Sequence, residues 1–195
     1  MPEKTKIFLN QTRFFNAPTA SVDDFSPHEL AKALAFHRSM PAYAPTPLLS
    51  LNRLASALGV GSIHIKDESK RFGLKAFKVL GGAYAMACHI AEQLGEDIAQ
   101  LPFAVITSAA VRQKIGEVVF ATTTDGNHGR GVAWTARQLQ QKAVVYMPKG
   151  SAPERLQNIR ALGSMAEITD LRYDDAVRLA CKQAEEKGWV LVQDT

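Results

Sequence analysis

From residue 117 onward the sequence alternates short apolar runs with helical patterns, and nothing else in it constrains the fold as strongly. Runs 117–122, 142–147, 166–169 and 189–192 read as strands, and 129–140, 151–163 and 173–187 as helices. A helix between successive apolar strands implies parallel βαβ units, with strands buried by helices on both faces. The fold class is α/β, a parallel sheet with flanking helices. Upstream, residues 1–46 read as a lead with one helix, capped by Ser26 and opened by Pro27, with Leu30, Ala33, Leu34 and His37 at helical spacing. Pro41, Pro45 and Pro47 then impose an extended connector. A short helix over 51–58 closes at Gly59, and a strand follows over 62–66. A small-residue-rich helix spans 76–94, and 102–115 is helical or irregular.

Composition narrows the class. Of 195 residues, 46% are hydrophobic and 22% charged, which excludes wholesale disorder and suffices for a core. Twenty-three bases against 19 acids leave +4, and acids sit among the densest bases (Lys66, Lys70, Arg71, Lys75, Lys78), so no nucleic-acid surface is expected. Cys88 and Cys181 lack metal-ligand spacing and read as buried thiols of a reducing compartment. Residues 1–16 carry no apolar core of a leader. No apolar run approaches the ~20 residues that span a bilayer. A cytoplasmic protein is expected, and the Asn10-Gln11-Thr12 sequon is a chance match. The last strand is followed only by Gln193, Asp194 and Thr195; stopping there, the chain is expected to be incomplete.

Two segments could carry chemistry. Thr122-Thr123-Thr124-Asp125-Gly126-Asn127-His128-Gly129-Arg130-Gly131 joins a strand to a helix, so backbone N–H groups at the helix start suit a phosphate or carboxylate. It is not a dinucleotide fingerprint, since no acid ends a strand about 20 residues on. A carboxylate at Asp125 repels anions and therefore asks for a role of its own, as a base or as partner to a substrate cation. His128 reads as shaping this loop rather than as a general base. The second segment runs from Lys66 to Gly82. Lys78, between Phe77 and an apolar run, is expected to be partly desolvated, which makes an amine nucleophilic as Schiff-base chemistry requires. Lys75, one helical turn earlier, adds like-charge repulsion. His64 reads as a surface or structural residue, and Trp134 and Trp189 as packing residues. The methionines read as gap-fillers, and Asp170, Asp174 and Asp175 as charges suited to a helix start.

Together the segments carry a resemblance. Ala76-Phe77-Lys78 with Gly81-Gly82 resembles the lysine motif of the fold-type II enzymes that use pyridoxal phosphate, the tryptophan synthase β-like fold. Asp125-Gly126-Asn127-His128-Gly129 resembles their asparagine loop. With Lys66-Asp67-Glu68-Ser69, Arg71-Phe72-Gly73-Leu74, Tyr146-Met147-Pro148-Lys149-Gly150-Ser151 and Tyr173-Asp174-Asp175, the chain resembles the diaminopropionate ammonia-lyase family rather than the serine or threonine dehydratases. The likeness runs from Tyr43 to Thr195 and covers the first half of a typical member.

The resemblance implies roles. Lys78 would hold pyridoxal 5'-phosphate as a Schiff base and act as a base on the substrate α-carbon. Asn127 would bond the pyridine hydroxyl. Thr123, Thr124, Gly126 and His128 would grip the substrate carboxylate. Asp125, where the dehydratases favour a neutral residue, would take the α-proton on the opposite face or hold the β-ammonium. The reaction would be α,β-elimination of ammonia from D- or L-2,3-diaminopropionate to pyruvate and ammonia, in a homodimer. Residues 60–195 would form a small cofactor-facing domain, and 1–59 a lead belonging partly to a larger one. Lys75 departs from the asparagine expected there, and no second glycine-rich turn follows residue 131 to seat the cofactor phosphate. A serine/threonine dehydratase and a non-catalytic α/β module are the alternatives.

Overall fold

The structure, a computed structural model, describes residues 26–193. The Asn10 sequon, the rest of residues 1–25, Asp194 and Thr195 lie outside the described residues. Two sheets form. The larger has four parallel strands in the order β5-β4-β3-β6, with β3 Val119–Thr123, β4 Lys142–Met147, β5 Met165–Ile168 and β6 Val190–Leu191. The smaller pairs β1 Leu48–Ser50 antiparallel with β2 His64–Lys66 around α2 Asn52–Leu58.

The expected β-α-β alternation is present. Alternate residues of β4 face opposite sides of the sheet, as the strand period of two demands. Val145 and Met147 pack with Ile159 of α7 (Pro153–Arg160), whereas Val144 and Tyr146 pack with Ala180 of α8 (Tyr173–Lys187). Helix α6 (Asn127–Gln138) follows β3 and lies against α3 (Lys78–Leu94). On α3, Val79, Ala83, Met86, Ala87 and Ile90 recur every three or four residues and form the buried stripe. Phe36 and Met40, from and just after α1 (Pro27–Ser39), join that core, with Phe103 and Ile106 of α4 (Phe103–Ile106).

The seam between α3 and α6 is as close as backbones allow. A Cβ on Gly131 would lie 2.9 Å from the Val79 Cα, so only glycine fits there. At Gly129 a Cβ would lie 2.3 Å from Thr124 Cγ2 and 2.8 Å from Val145 Cγ1. These glycines, which read as an anion-binding device in sequence, are required by packing.

Several local expectations need correction. The helix expected over 151–163 is shorter, Pro153–Arg160: Pro153, with no N–H to leave unpaired, takes the first helical position, so Ala152 rather than Ser151 is the cap. The Ser151 hydroxyl is buried without a partner. Lys75 is not on the helix of Lys78, because α3 starts at Lys78 and Lys75 is left-handed (φ 58°). Cys181 is exposed rather than buried, since α8 buries Ala176, Ala180 and Ala184, and the next position turns away. Met165 is exposed on the edge strand β5, while Met40, Met86 and Met147 are buried. Strand β1 fell in a stretch read only as extended connector. The 102–115 stretch resolves into α4 and α5 (Ala109–Ile115).

Candidate active site

In an open parallel sheet, ligands bind beyond the carboxyl ends of the strands where the strand order reverses. Here the chain runs from β3 outward to β4 and β5 and then returns to β6 on the other flank of β3, so the reversal falls between β3 and β6. A cleft of about 460 Å³ lies there. Its lining includes Phe77, Lys78 and Gly82 from the start of α3, His128 from α6, and Val192 and Gln193 just past β6.

Lys78 reaches this place through a strained approach. After β2 the chain makes 3-10 turns over Glu68–Gly73, and Phe72 (φ 46°), Gly73 (φ 70°) and Lys75 (φ 58°) are left-handed. A buried polar knot holds that path. Arg71, 5% exposed, donates to Glu68 through Nε (2.8 Å) and Nη2 (3.0 Å) and to the Ala44 carbonyl (2.9 Å). Thr46 donates its hydroxyl to Glu68, and Lys66 donates to the Thr46 carbonyl. The guanidinium also lies over the rings of Tyr43 (5.3 Å) and Phe72 (5.8 Å). Hydrogen bonding from Arg71 holds the Glu68 carboxyl below its ordinary value. Arg130, in the first turn of α6, donates to the Leu74 carbonyl at 3.1 Å and so ties the two motif segments directly. On the first turn of α3, His37 donates Nε2–H to the Leu80 carbonyl at 2.9 Å. Burial pushes that imidazole's pKa down, so it braces the turn as a neutral donor. Lys78, half-buried, thus opens α3 between a braced turn and a fixed loop.

The second motif crosses the end of β3. Thr124 Oγ1 accepts from the Gly126 N–H at 2.9 Å, which closes the turn and leaves Gly126 as the helix cap. His128 is buried, and its Nε2 lies 2.9 Å from the Val192 carbonyl; a carbonyl only accepts, so Nε2 carries a proton. That bond pins the segment after β6 to α6, consistent with a shaping role. Thr123 is wholly buried, and its hydroxyl donates to the Ala176 carbonyl of α8 at 3.0 Å. Gln193 Oε1 lies 3.4 Å from both the Thr122 hydroxyl and the Thr123 N–H.

The predicted site residues therefore divide. Lys78 and His128 line one cleft. Thr124 and Gly126 form the turn that leads into α6, Thr123 supports that turn from α8's side, Asp125 stands exposed in the turn, and Asn127 is exposed at the first position of α6. Sequence reasoning missed the Arg71 knot, although its segment was singled out, and it missed Arg155, which meets Asp125 from α7. No spacing rule connects residues 30 apart through a sheet. Trp134 stacks on Phe72 at 5.3 Å between centroids, the packing role expected of it. His64 meets Ser50 on the surface of the small sheet.

Lys78, half-buried, shares a largely apolar cleft of this size with Gly81 and Gly82, which leaves room for a small flat ligand beside the lysine. Fold and site together define an open parallel α/β sheet with a lysine in the cleft at its topological switch point. Residues 40–195 match the family described as pyridoxal-phosphate dependent enzyme, and the chain belongs to it. It is 59% identical over 164 residues to a diaminopropionate ammonia-lyase of Salmonella typhimurium, covering 84% of this chain and 41% of that protein. To the diaminopropionate ammonia-lyase of Escherichia coli it is 51% identical over 191 residues, covering 97% of this chain and 46% of the relative. The crystal structure of the Escherichia coli enzyme in complex with D-serine superposes with a TM-score of 0.83 at 52% identity, over 94% of this chain and 45% of that one. The chain thus spans less than half the length of the curated relatives it matches.

Proposed function

We propose that this chain supplies the lysine side of a diaminopropionate ammonia-lyase site, eliminating ammonia from 2,3-diaminopropionate to give pyruvate and ammonia. The observation that supports the reading is one cleft lined both by Lys78, at the start of α3, and by His128, in the first turn of α6, which follows Asp125 closely in the chain. Pyridoxal phosphate, the family's cofactor, supplies an electron sink for the α-carbon. Lys78 would hold it, and Asn127 would donate to its ring hydroxyl. Lys78 then moves the α-proton on one face of the substrate. Asp125 removes it on the other, so both isomers are accepted. The Thr124 turn, closed by the Gly126 N–H, and the backbone N–H groups of Asn127 and His128 would receive the substrate carboxylate at the start of α6, with Thr123 locking the turn to α8. Loss of the β-ammonia leaves an enamine that water converts to pyruvate and a second ammonia. A cytoplasmic homodimer, and a cofactor-facing domain over residues 60–195 after a lead over 1–59, are part of the same proposal.

The test is release of pyruvate and ammonia from D- and L-diaminopropionate by the chain loaded with pyridoxal phosphate. Both isomers should react. Lys78→Ala should abolish reaction, and Asp125→Asn should lower one isomer by about 100-fold while sparing the other. Preferential turnover of serine or threonine would contradict the reading.

A further inference from the structure

The proposed function gives Asp125 a stereochemical task, yet the side chain is 74% exposed on a loop tip. A carboxylate free to rotate there would spend most of its time aimed at solvent. One neighbour restrains it. Arg155, in the first turn of α7, donates from Nη1 to the Asp125 backbone carbonyl at 2.8 Å, and the same nitrogen lies 3.8 Å from Asp125 Oδ2. Its stem passes over the next residue: a Cβ on Gly126 would lie 3.2 Å from Arg155 Cδ and 3.6 Å from Nε and Nη1. The arginine thus meets both the backbone and the side chain of Asp125, and the missing Cβ at 126 leaves room for its stem. Helix α7 follows β4 as α6 follows β3, so both loops leave the same edge of the sheet from paired strands (Thr123 with Tyr146).

We propose that Arg155 is a positioning residue for Asp125, fixing the direction of its carboxylate and with it the substrate isomer on which Asp125 acts. An exposed ion pair contributes little to stability, so the arrangement acts on geometry rather than on folding. The planar guanidinium suits the task, because one rigid group meets both the backbone and the side chain of the same residue. A misplacement of about 1 Å at a reacting group costs on the order of 100-fold, so loss of the clamp should be visible in turnover.

The inference rests on the proposed function, and two readouts separate their failures. The first needs no substrate: side-chain coupling constants of Asp125 measured by NMR. The native chain should show one dominant χ1 rotamer, Arg155→Ala rotamer averaging, and Arg155→Lys a partial return. Averaging in the native chain, or no change in Arg155→Ala, overturns the inference whether or not the protein is active. The second is the ratio of D- to L-diaminopropionate turnover in the loaded protein. Arg155→Ala should shift the ratio at least 10-fold, against the same isomer as Asp125→Asn, and Arg155→Lys should recover part of it. Equal loss on both isomers overturns the inference. Turnover of neither isomer by the native chain would overturn the functional reading while the rotamer result still decides the role of Arg155.

Discussion

The segment from Tyr43 to Lys75 leads into Lys78 and the α3–α6 seam leads away from it, and different forces hold the two. The seam is apolar and backbone-close: Gly131 rests on Val79, and the surrounding side chains are buried. The Tyr43–Lys75 segment has little such packing. Its small sheet and α2 expose Leu48, Leu49, Leu54, Leu58, Val60 and Ile65, and their cohesion comes from a short antiparallel pairing and the Arg71 knot. A two-stranded sheet alone is marginal in water, so the knot must fix the loop that delivers Lys78. A site lysine can therefore be placed by packing on one side and by a few directional polar bonds on the other.

The sharpest way to break this comparison is to remove the knot. Arg71→Ala leaves the half-buried Glu68 carboxylate and the Ala44 carbonyl without their donor and should cost about 2–4 kcal/mol in chemical denaturation. The pH dependence has a definite sign. The folded Glu68 carboxyl lies below its ordinary value of 4.5, so its contribution is complete above that value and is lost as the pH falls through the lower folded one. Arg71→Ala should lack this component of acid sensitivity. A cost under 1 kcal/mol would show that packing, not the knot, holds the segment.

Gly131→Ala should come next. The new methyl meets Val79 main chain, which has no rotamer to yield, so overpacking of about 1–3 kcal/mol is expected in the same assay. The smallest effect should come from the exposed leucines: Leu49→Ser, at a 47% exposed position, should change the stability of this chain by no more than about 0.5 kcal/mol. A larger loss there would mean that the small sheet packs more firmly than its exposure indicates.

Much of this was legible in the sequence because its signals are local. Strand β4, helix α8 and the Ser26–Pro27 start of α1 lie where period and capping chemistry put them. The lysine and asparagine-loop motifs were likewise continuous strings. What escaped was non-local or set by a competing local rule. Pro153 overrode Ser151 as the determinant of where α7 begins, and left-handed Lys75 moved the start of α3 to Lys78. The turning of Thr123 toward Ala176, 53 residues on, depends on which face of the sheet α8 covers. The same holds for Arg155 against Asp125 and Arg71 against Ala44.

The central claim is that the cleft beside β3 and β6 presents Lys78 to a pyridoxal aldehyde. Incubation with pyridoxal phosphate, borohydride reduction and peptide mapping by mass spectrometry test it directly. The account predicts a reduced pyridoxyl label concentrated on Lys78 and absent from Lys78→Ala, with Lys75 and the other surface lysines labelled only at background. Label spread evenly over the lysines, or undiminished in Lys78→Ala, would contradict it.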